Sequence, residues 1–592
     1  MEAALRISGS GYSTAFFQKT ADGANYTIND HFAQQFYSKT AAGGKMHPVS
    51  FPVAKGSNTV RIFILGESAA QGTPNPAFGF ARILEWMLER RHPEIRFEVI
   101  NAAMRGINSH IILPIARDCA RHQPDLFLCY IGNNEVVGLH APGPDSTWLN
   151  QNLCAIRLVQ KLKSTRTGQL LSRTLERQPR ISPAQDMAFF RERRLAFDDS
   201  KRARVYRFFE ANLNEICEVT TRFGAKVLLS TIPVNLKDSP PFASLHRRDL
   251  TPEQNSKWER SYAKAVESQQ AGQWETALNE LQAAAEIDDH FADLHFRLGQ
   301  VLMAKGDYEK ARRHFVLARD RDALQFRADT PVNDVIRRVA DQWSARHVQL
   351  FDAEQEFFTH EWSDHGIPGS RFFYEHVHLR FEGDYALARA WVAAVESALG
   401  ERLSKPERND GNDKLPSREE CAARLAFTPW DEFQTELSMV QLSGKPPFLD
   451  QLDHAPRQKR AEQALVEKGE RLRKDGMTAT ISIYESALKS HPTDWHLHHN
   501  FGLFWFTQGK YEHAAKFLEF EVKQFPHLPA NRMALSAALA RAGRRDEALG
   551  HLREALRLDP EFQPARDAIA LIESGKLESP APAPHPRAPA VR

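Results

Sequence analysis

Cysteine is scarce in this chain. The 592 residues hold five, at Cys119, Cys129, Cys154, Cys217 and Cys421, odd in number and unclustered, which argues against a disulfide framework. Long apolar runs are missing as well. The N-terminus MEAALRISGSGYSTAFF lacks the apolar core of about 7–15 residues that a secretory signal needs, and no run of about 18 apolar residues occurs elsewhere. As written, the expectation is a soluble cytoplasmic protein. Neither sign of charge dominates: the formal net charge is +2, which argues against a general nucleic-acid binder. The basic stretch from Arg191 to Arg207 reads as a solvated helix face rather than a phosphate site. Gly43-Gly44-Lys45 lacks the upstream glycine and the following Ser or Thr of a phosphate loop.

What is present begins with VRIFILGESAAQG, residues 60 to 72. Val60, Ile62, Phe63, Ile64 and Leu65 suit a strand buried on both faces of a parallel sheet, and Gly66 permits a sharp turn that presents Ser68. Helical spacing comes next, through Phe80, Ile83, Leu84, Met87 and Leu88. Further strands are expected at about Phe97 to Ala102, Leu126 to Ile131, Val227 to Ile232 and Val348 to Phe351. Loops carrying Gly106 and Gly132-Asn133-Asn134-Glu135 come after the first two of these. After the last comes FFYEHVHLRFEGDYALARAWVAAV, with Glu375 and His378 three apart at the expected start of an apolar helix. Strands alternating with helices predict a three-layer α/β domain with a mostly parallel sheet.

Several rival chemistries fail on spacing. The nucleophile elbow of α/β-hydrolases needs glycine two residues after the serine, where this chain has Ala70. His360-Glu361 with His365 misses the zincin spacing by one residue, and His376 with His378 lacks a third ligand. No metal and no cofactor is therefore expected. Cys129 within a strand and Cys119 on a helix read as core thiols.

The four blocks, in this order, resemble the SGNH hydrolases, also called the GDSL esterase/lipase family. Gly66-Glu67-Ser68 is similar to the Gly-Asp-Ser block and Gly106 to the glycine block. Gly132-Asn133-Asn134-Glu135 is similar to the Gly-x-Asn-Asp block, and Glu375-His376-Val377-His378 to the Asp-x-x-His block. The resemblance covers roughly residues 58 to 235 and 335 to 400. It implies a flavodoxin-like parallel sheet, Ser68 as nucleophile, His378 as general base and Glu375 as the orienting acid. Gly106, Asn134 and the Ser68 backbone would form the oxyanion hole. The chemistry is coherent on its own terms, since a serine hydroxyl becomes nucleophilic when an imidazole takes its proton and aligned donors meet the oxyanion. Glutamate replaces aspartate at Glu67, Glu135 and Glu375; at the first two positions a reshaped pocket is expected. The implied activity is ester hydrolysis through an acyl-enzyme on Ser68, on an acyl-ester substrate such as a carbohydrate, lipid or small molecule. The alternatives are an O-acyltransferase of the same fold or a non-catalytic repeat scaffold. Proteins of this repeat-bearing type can carry an N-terminal membrane anchor, which would place the site in the periplasm.

A second pattern has a period of 34. Gly509 and Gly543, Ala514 and Ala548, and Pro526 and Pro560 are so spaced, as are Ala277 and Ala311, Leu281 and Phe315, and Ala284 and Ala318. This is the period of tetratricopeptide (TPR) repeats. The expected organisation is an N-terminal extension over 1–57, a hydrolase-like domain over 58–250 and 326–403, and an inserted repeat pair over 251–325. A linker with connecting helices over 404–459, an all-α repeat array over 460–576 and a Pro/Ala-rich disordered tail over 577–592 complete it. The inserted pair, too short to stand alone, should lean on the hydrolase-like body or on the C-terminal array, and individual aromatics such as Tyr308 and Trp505 read as packing residues. The repeats imply a protein partner.

Overall fold

A computed structural model of the chain describes residues 1–37, 46–142, 148–175, 193–403 and 415–575. Gly43-Gly44-Lys45, the start of the basic stretch at Arg191, the start of the linker (404–414) and the tail 577–592 lie outside the described residues. The chain divides into two compact units. One comprises Met1–Pro416 with Gln441–Arg457, the other Ser417–Val440 with Gln458–Arg592.

In the first unit, short strands β1 (Phe17–Lys19), β2 (Asn25–Ile28) and β3 (Ser50–Pro52) form an antiparallel sheet. Its phenylalanines pack onto the next strand: Phe17 and Phe51 lie 6.0 and 5.7 Å from Phe63 of β4 (Thr59–Gly66). β4, β5 (Arg96–Asn101), β6 (Leu126–Tyr130), β7 (Lys226–Ser230) and β8 (Val348–Phe351) form one parallel sheet in the order β5-β4-β6-β7-β8. Every residue of β4 and β6 is buried, as apolar central strands require when both sheet faces are covered. Helix Phe80–Arg91 packs with Phe381–Leu399, and helix Ser200–Thr221 packs with both Ser109–Cys119 and Thr330–Gln342. Numbered within the sheet, the order is 2-1-3-4-5, which reverses direction between β4 and β6. Loops leaving the carboxyl ends of those two strands meet at the switch point, where open α/β sheets bind ligands.

Between β7 and β8 the chain inserts four helices, Pro252–Gln270, Trp274–Ile287, Ala292–Ala304 and Tyr308–Asp320. A capping box of Thr251 and Gln254, with Pro252 in the first turn, starts them. Ala277, Leu281, Ala284, Ala311, Phe315 and Ala318 are all buried. Gly272 and Gly306, also 34 apart, turn each helix pair at φ 72° and 81°, a left-handed geometry that glycine adopts without a Cβ clash. The insertion leans on the sheet domain. Buried Arg319 bonds Glu354 at 2.8 Å and the Thr330 hydroxyl at 2.8 Å, and the Tyr308 ring stacks on His365 at 3.5 Å. Arg202 departs from the solvated-face expectation. It is buried and donates to the carbonyls of Asp320 and Asp322 and to the Gln325 side chain, because the return segment of the insertion packs on its helix.

The second unit holds helix pairs Trp495–Thr507 with Tyr511–Gln524 and Pro529–Arg541 with Arg545–Leu558, closed by Gln563–Glu573. Gly509 and Gly543 again turn each pair at positive φ, and Ala514, Leu535, Leu539, Ala548 and Leu552 form its core. Within the span expected to hold a linker and connecting helices, Ser417 and Glu420 form a capping box that starts helix Arg418–Leu425.

Candidate functional site

Gly66 ends β4 where no side chain fits, since a Cβ there would lie 2.4 Å from the Tyr130 carbonyl oxygen and from the Ala70 methyl. That close approach turns the chain so that Glu67 enters the interior and Ser68 opens the single helical turn Ser68–Gln71. Ser68 Oγ lies 2.8 Å from His378 Nε2. On the far side of the ring, His378 Nδ1 makes a short hydrogen bond to Glu375 Oε1. The acid and the base do not start a helix, as their spacing suggested; the helix begins at Phe381. They sit in a loop pinched by Tyr374 N–H donating to the His378 carbonyl at 2.9 Å and Arg380 N–H to the Phe372 carbonyl at 2.8 Å. The Glu375 carboxylate also accepts the backbone N–H groups of His376, Val377 (3.2 Å) and His378 (3.1 Å). Side-chain bonds of this kind to the local backbone, together with the pinch at Tyr374 and Arg380, hold the segment as an irregular loop. Burial acts to raise the Glu375 carboxyl, but the imidazoles of His376 and His378 outweigh it and hold the group well below the usual carboxylate range. Burial, opposed by Glu375, keeps His376 below the usual imidazole range.

The loops after β5 and β6 gather beside Ser68. Glu67 accepts the backbone N–H groups of Gly132 (3.3 Å), Asn133 (2.9 Å) and Asn134 (3.4 Å), so the residue next to Ser68 fixes the Asn134 loop. The Asn134 amide donates to the Ile107 carbonyl at 3.0 Å, which holds Gly106-Ile107 against the same loop. Gly106 itself takes φ 71° and its carbonyl accepts the Tyr37 hydroxyl at 2.7 Å. The expected pocket-shaping role of Glu67 and Glu135 is not what these side chains do. Both are buried ties. Glu135 accepts the Ser109 N–H at 2.8 Å and its hydroxyl at 2.7 Å, at the start of helix Ser109–Cys119. Burial, reinforced by the Glu135 charge and only partly offset by the three N–H donors, pushes Glu67 well above its ordinary range. Burial pushes Glu135 up to about 7 against its bonds to Ser109.

Three supporting residues had no signal in the sequence. Asn235, on the loop after β7, donates its amide to the Glu375 carbonyl at 2.8 Å and its N–H to the His376 carbonyl at 3.0 Å. Arg327 donates to the carbonyls of Asn235 (3.0 Å) and Ser239 (2.8 Å) while pairing with buried Asp322 at 3.3 Å. The neighbouring Ala328 N–H donates to Asn133 Oδ1 at 3.1 Å. The segment that ends the insertion therefore braces both the Asn134 loop and the Glu375 loop. Apart from the local Arg327–Asp322 pair, these contacts join residues 88 to 195 positions apart, beyond any periodicity.

Other candidates are engaged elsewhere. His360 Nδ1 accepts the Trp362 N–H at 3.1 Å, and the His365 ring covers Tyr308. Among the described residues no group of three or more His, Cys, Asp or Glu could hold a metal ion, and no helix is long and apolar enough to cross a membrane. All five cysteines are free; Cys154 is exposed and the others are buried.

Residues 269–328 match the family model of the tetratricopeptide repeat. No curated protein matches the chain. Solved structures similar to it include the TPR2AB-domain:pHSP90 complex of yeast Sti1, at 12% identity over 54% of this chain and 97% of that one, with a TM-score of 0.15. The assembly chaperone of RpL4, Acl4, is 16% identical over 54% of this chain and 99% of that one, with a TM-score of 0.17. Scores so low carry no argument about architecture. The family match and the paired helices with their 34-residue spacing do: the chain carries tetratricopeptide repeats.

Proposed function

We propose that the sheet-bearing unit is a serine-dependent hydrolase of ester bonds, of the SGNH type, and that the repeats hold a protein partner. One observation carries this reading: Ser68 Oγ stands 2.8 Å from His378 Nε2, with the Glu375 carboxylate behind the ring, at the switch point of the parallel sheet. A hydroxyl so placed loses its proton to Nε2 as Oγ attacks the acyl carbon. The oxyanion that forms is met by the N–H groups of Ser68 and Gly106 and by the Asn134 amide. His378 then returns the proton to the departing alcohol, leaving the acyl group on Ser68, and water activated by the same imidazole releases the acid. The carboxylate of Glu375, kept ionised by its imidazole neighbours, stabilises the charged ring.

The test is a fluorophosphonate probe on the full chain, with the adduct located by mass spectrometry. Labelling at Ser68 that Ser68→Ala and His378→Ala both abolish is the expected result. A folded protein that takes no label would refute the reading in favour of a repeat scaffold. Acyl transfer to an added alcohol in place of water would assign the enzyme as an O-acyltransferase.

A further inference from the structure

The chain leaves the first unit at Pro416 and returns to it only for Gln441–Arg457, before the repeat unit resumes at Gln458. This strap is a closed loop, since its flanking residues are joined by Gln458 Nε2 donating to the Val440 carbonyl at 3.2 Å. Within the strap, Phe448 is buried in a cluster with Val137, Phe242, Ala323 and Leu324. Val137 belongs to the loop that carries Asn134. The Phe448 ring lies 5.2 Å from Phe242 and 5.5 Å from His376, both edge-on, and Phe242 lies 5.0 Å from His376. His376 is thus packed among three phenylalanines, Phe326 being the third at 6.0 Å, and its ring also meets the carboxylate of its neighbour Glu375. A hydrogen bond anchors the strap as well: buried Gln451 donates to the Pro240 carbonyl at 2.8 Å, and Arg457 holds the Gln451 side chain at 3.1 Å.

Resting on the serine-hydrolase reading, we infer that this strap controls the site, with Phe448 as a positioning residue that sets Glu375 and His378 by packing on His376. The physical argument is one of constraint. The loop 374–378 has no helix or strand to fix it, and the Glu375 carboxylate is aimed by neighbouring N–H groups that move with the backbone. Two external supports hold that backbone: the Asn235 hydrogen bonds on one side and the aromatic cluster around His376 on the other. Edge-on aromatic contacts favour particular ring orientations, so the second support is directional. Loss of Phe448 opens one side of the His376 ring, leaving Phe242, Phe326 and the Glu375 carboxylate on the others, and lets the loop shift relative to Ser68. A shift of about 1 Å in a catalytic constellation costs about 100-fold in rate. Both ends of the strap continue into the repeat unit, so a partner that draws the strap out of its cluster would switch Ser68 off, and one that seats it would switch Ser68 on.

The test compares the full chain with Phe448→Ala and Phe448→Leu by hydrogen exchange and by fluorophosphonate labelling. In Phe448→Ala, amide exchange across 372–380 should rise while β4 and β6 stay protected, and the labelling rate at Ser68 should fall about 100-fold. Phe448→Leu, which keeps an apolar plug without the edge-on contacts, should restore only part of both. Exchange across 372–380 that does not change in Phe448→Ala overturns the inference, as does a rise spread equally through β4 and β6, which would mark simple loss of stability. If wild-type Ser68 takes no label yet the 372–380 exchange still responds to Phe448→Ala, the strap's hold on the loop stands and the serine-hydrolase reading fails.

Discussion

Replacing Glu375 by glutamine separates charge and tautomer from shape. In the wild-type chain one carboxylate oxygen takes the N–H groups of His376 and Val377, and the other takes the His378 N–H together with the His378 ring. An amide offers one acceptor and one donor in their place. With its NH2 toward the first pair, two backbone donors face a donor; toward the second, only one does, because the imidazole can change tautomer and accept at Nδ1. The second arrangement strands fewer groups and is the one expected. It moves the ring proton to Nε2, where it points at Ser68 Oγ, and an imidazole in that state cannot accept the hydroxyl proton. The loss should be about 10⁴-fold in the rate of Ser68 labelling and of p-nitrophenyl acetate turnover, equivalent to about 5 kcal/mol of transition-state stabilisation. A stability readout accompanies it. The carboxyl is held below its ordinary value of 4.5 in the folded state, so its contribution is present above that pH and is lost as pH falls through the folded value. The stability gap between wild type and Glu375→Gln should therefore be widest above pH 4.5 and close on the acid side. Labelling of Glu375→Gln within about tenfold of wild type would refute the orienting role.

Three further outcomes rest on buried groups. Glu67→Ala strands the N–H groups of Gly132, Asn133 and Asn134 and should cost about 1–3 kcal/mol per group left unsatisfied in urea unfolding, with Glu67→Gln losing less because it keeps an acceptor. Arg327→Met leaves Asp322 buried without its cation and should destabilise by about 3–5 kcal/mol; in thermal melts, Asp322→Asn added to it should recover part of the loss. Glu135 has the opposite sign to Glu375. Raised by burial from 4.5 to about 7, its stabilising effect is complete below pH 4.5, declines as pH rises toward 7 and is level beyond. Wild type should lose about 3 kcal/mol across that window relative to Glu135→Gln, read as the difference in urea midpoints at the two ends.

The sheet was legible because each strand is a local apolar run. Val348–Phe351 matches its expected span, and the strands from β4 to β7 differ from theirs by only a residue or two at their ends. The paired helices were legible because packing positions recur every 34 residues, and the same small residues, Ala277 with Ala311 and Ala514 with Ala548, are buried in each. The β1–β3 sheet escaped notice, since strands of three or four residues carry too little alternation to register, and their phenylalanines find a core only on β4. Arg202 and the two glutamates escaped for a related reason. A charged side chain in sequence reads as exposed, and only partners brought from far along the chain make its burial tolerable.

For the candidate site, the sequence by itself determined which chemical groups are available and roughly where each lies relative to a strand end: Ser68 after β4, Asn134 after β6, and Glu375 with His378 after β8. Tertiary structure decided what those groups are to one another. The 2.8 Å contact between Ser68 and His378 spans 310 positions, and the loop that makes it takes its shape from Asn235, Arg327, His376 and Phe448. Hydrophobic periodicity is written into neighbouring residues, whereas the aim of a carboxylate in a loop depends on packing and hydrogen bonds that exist only once distant segments have met.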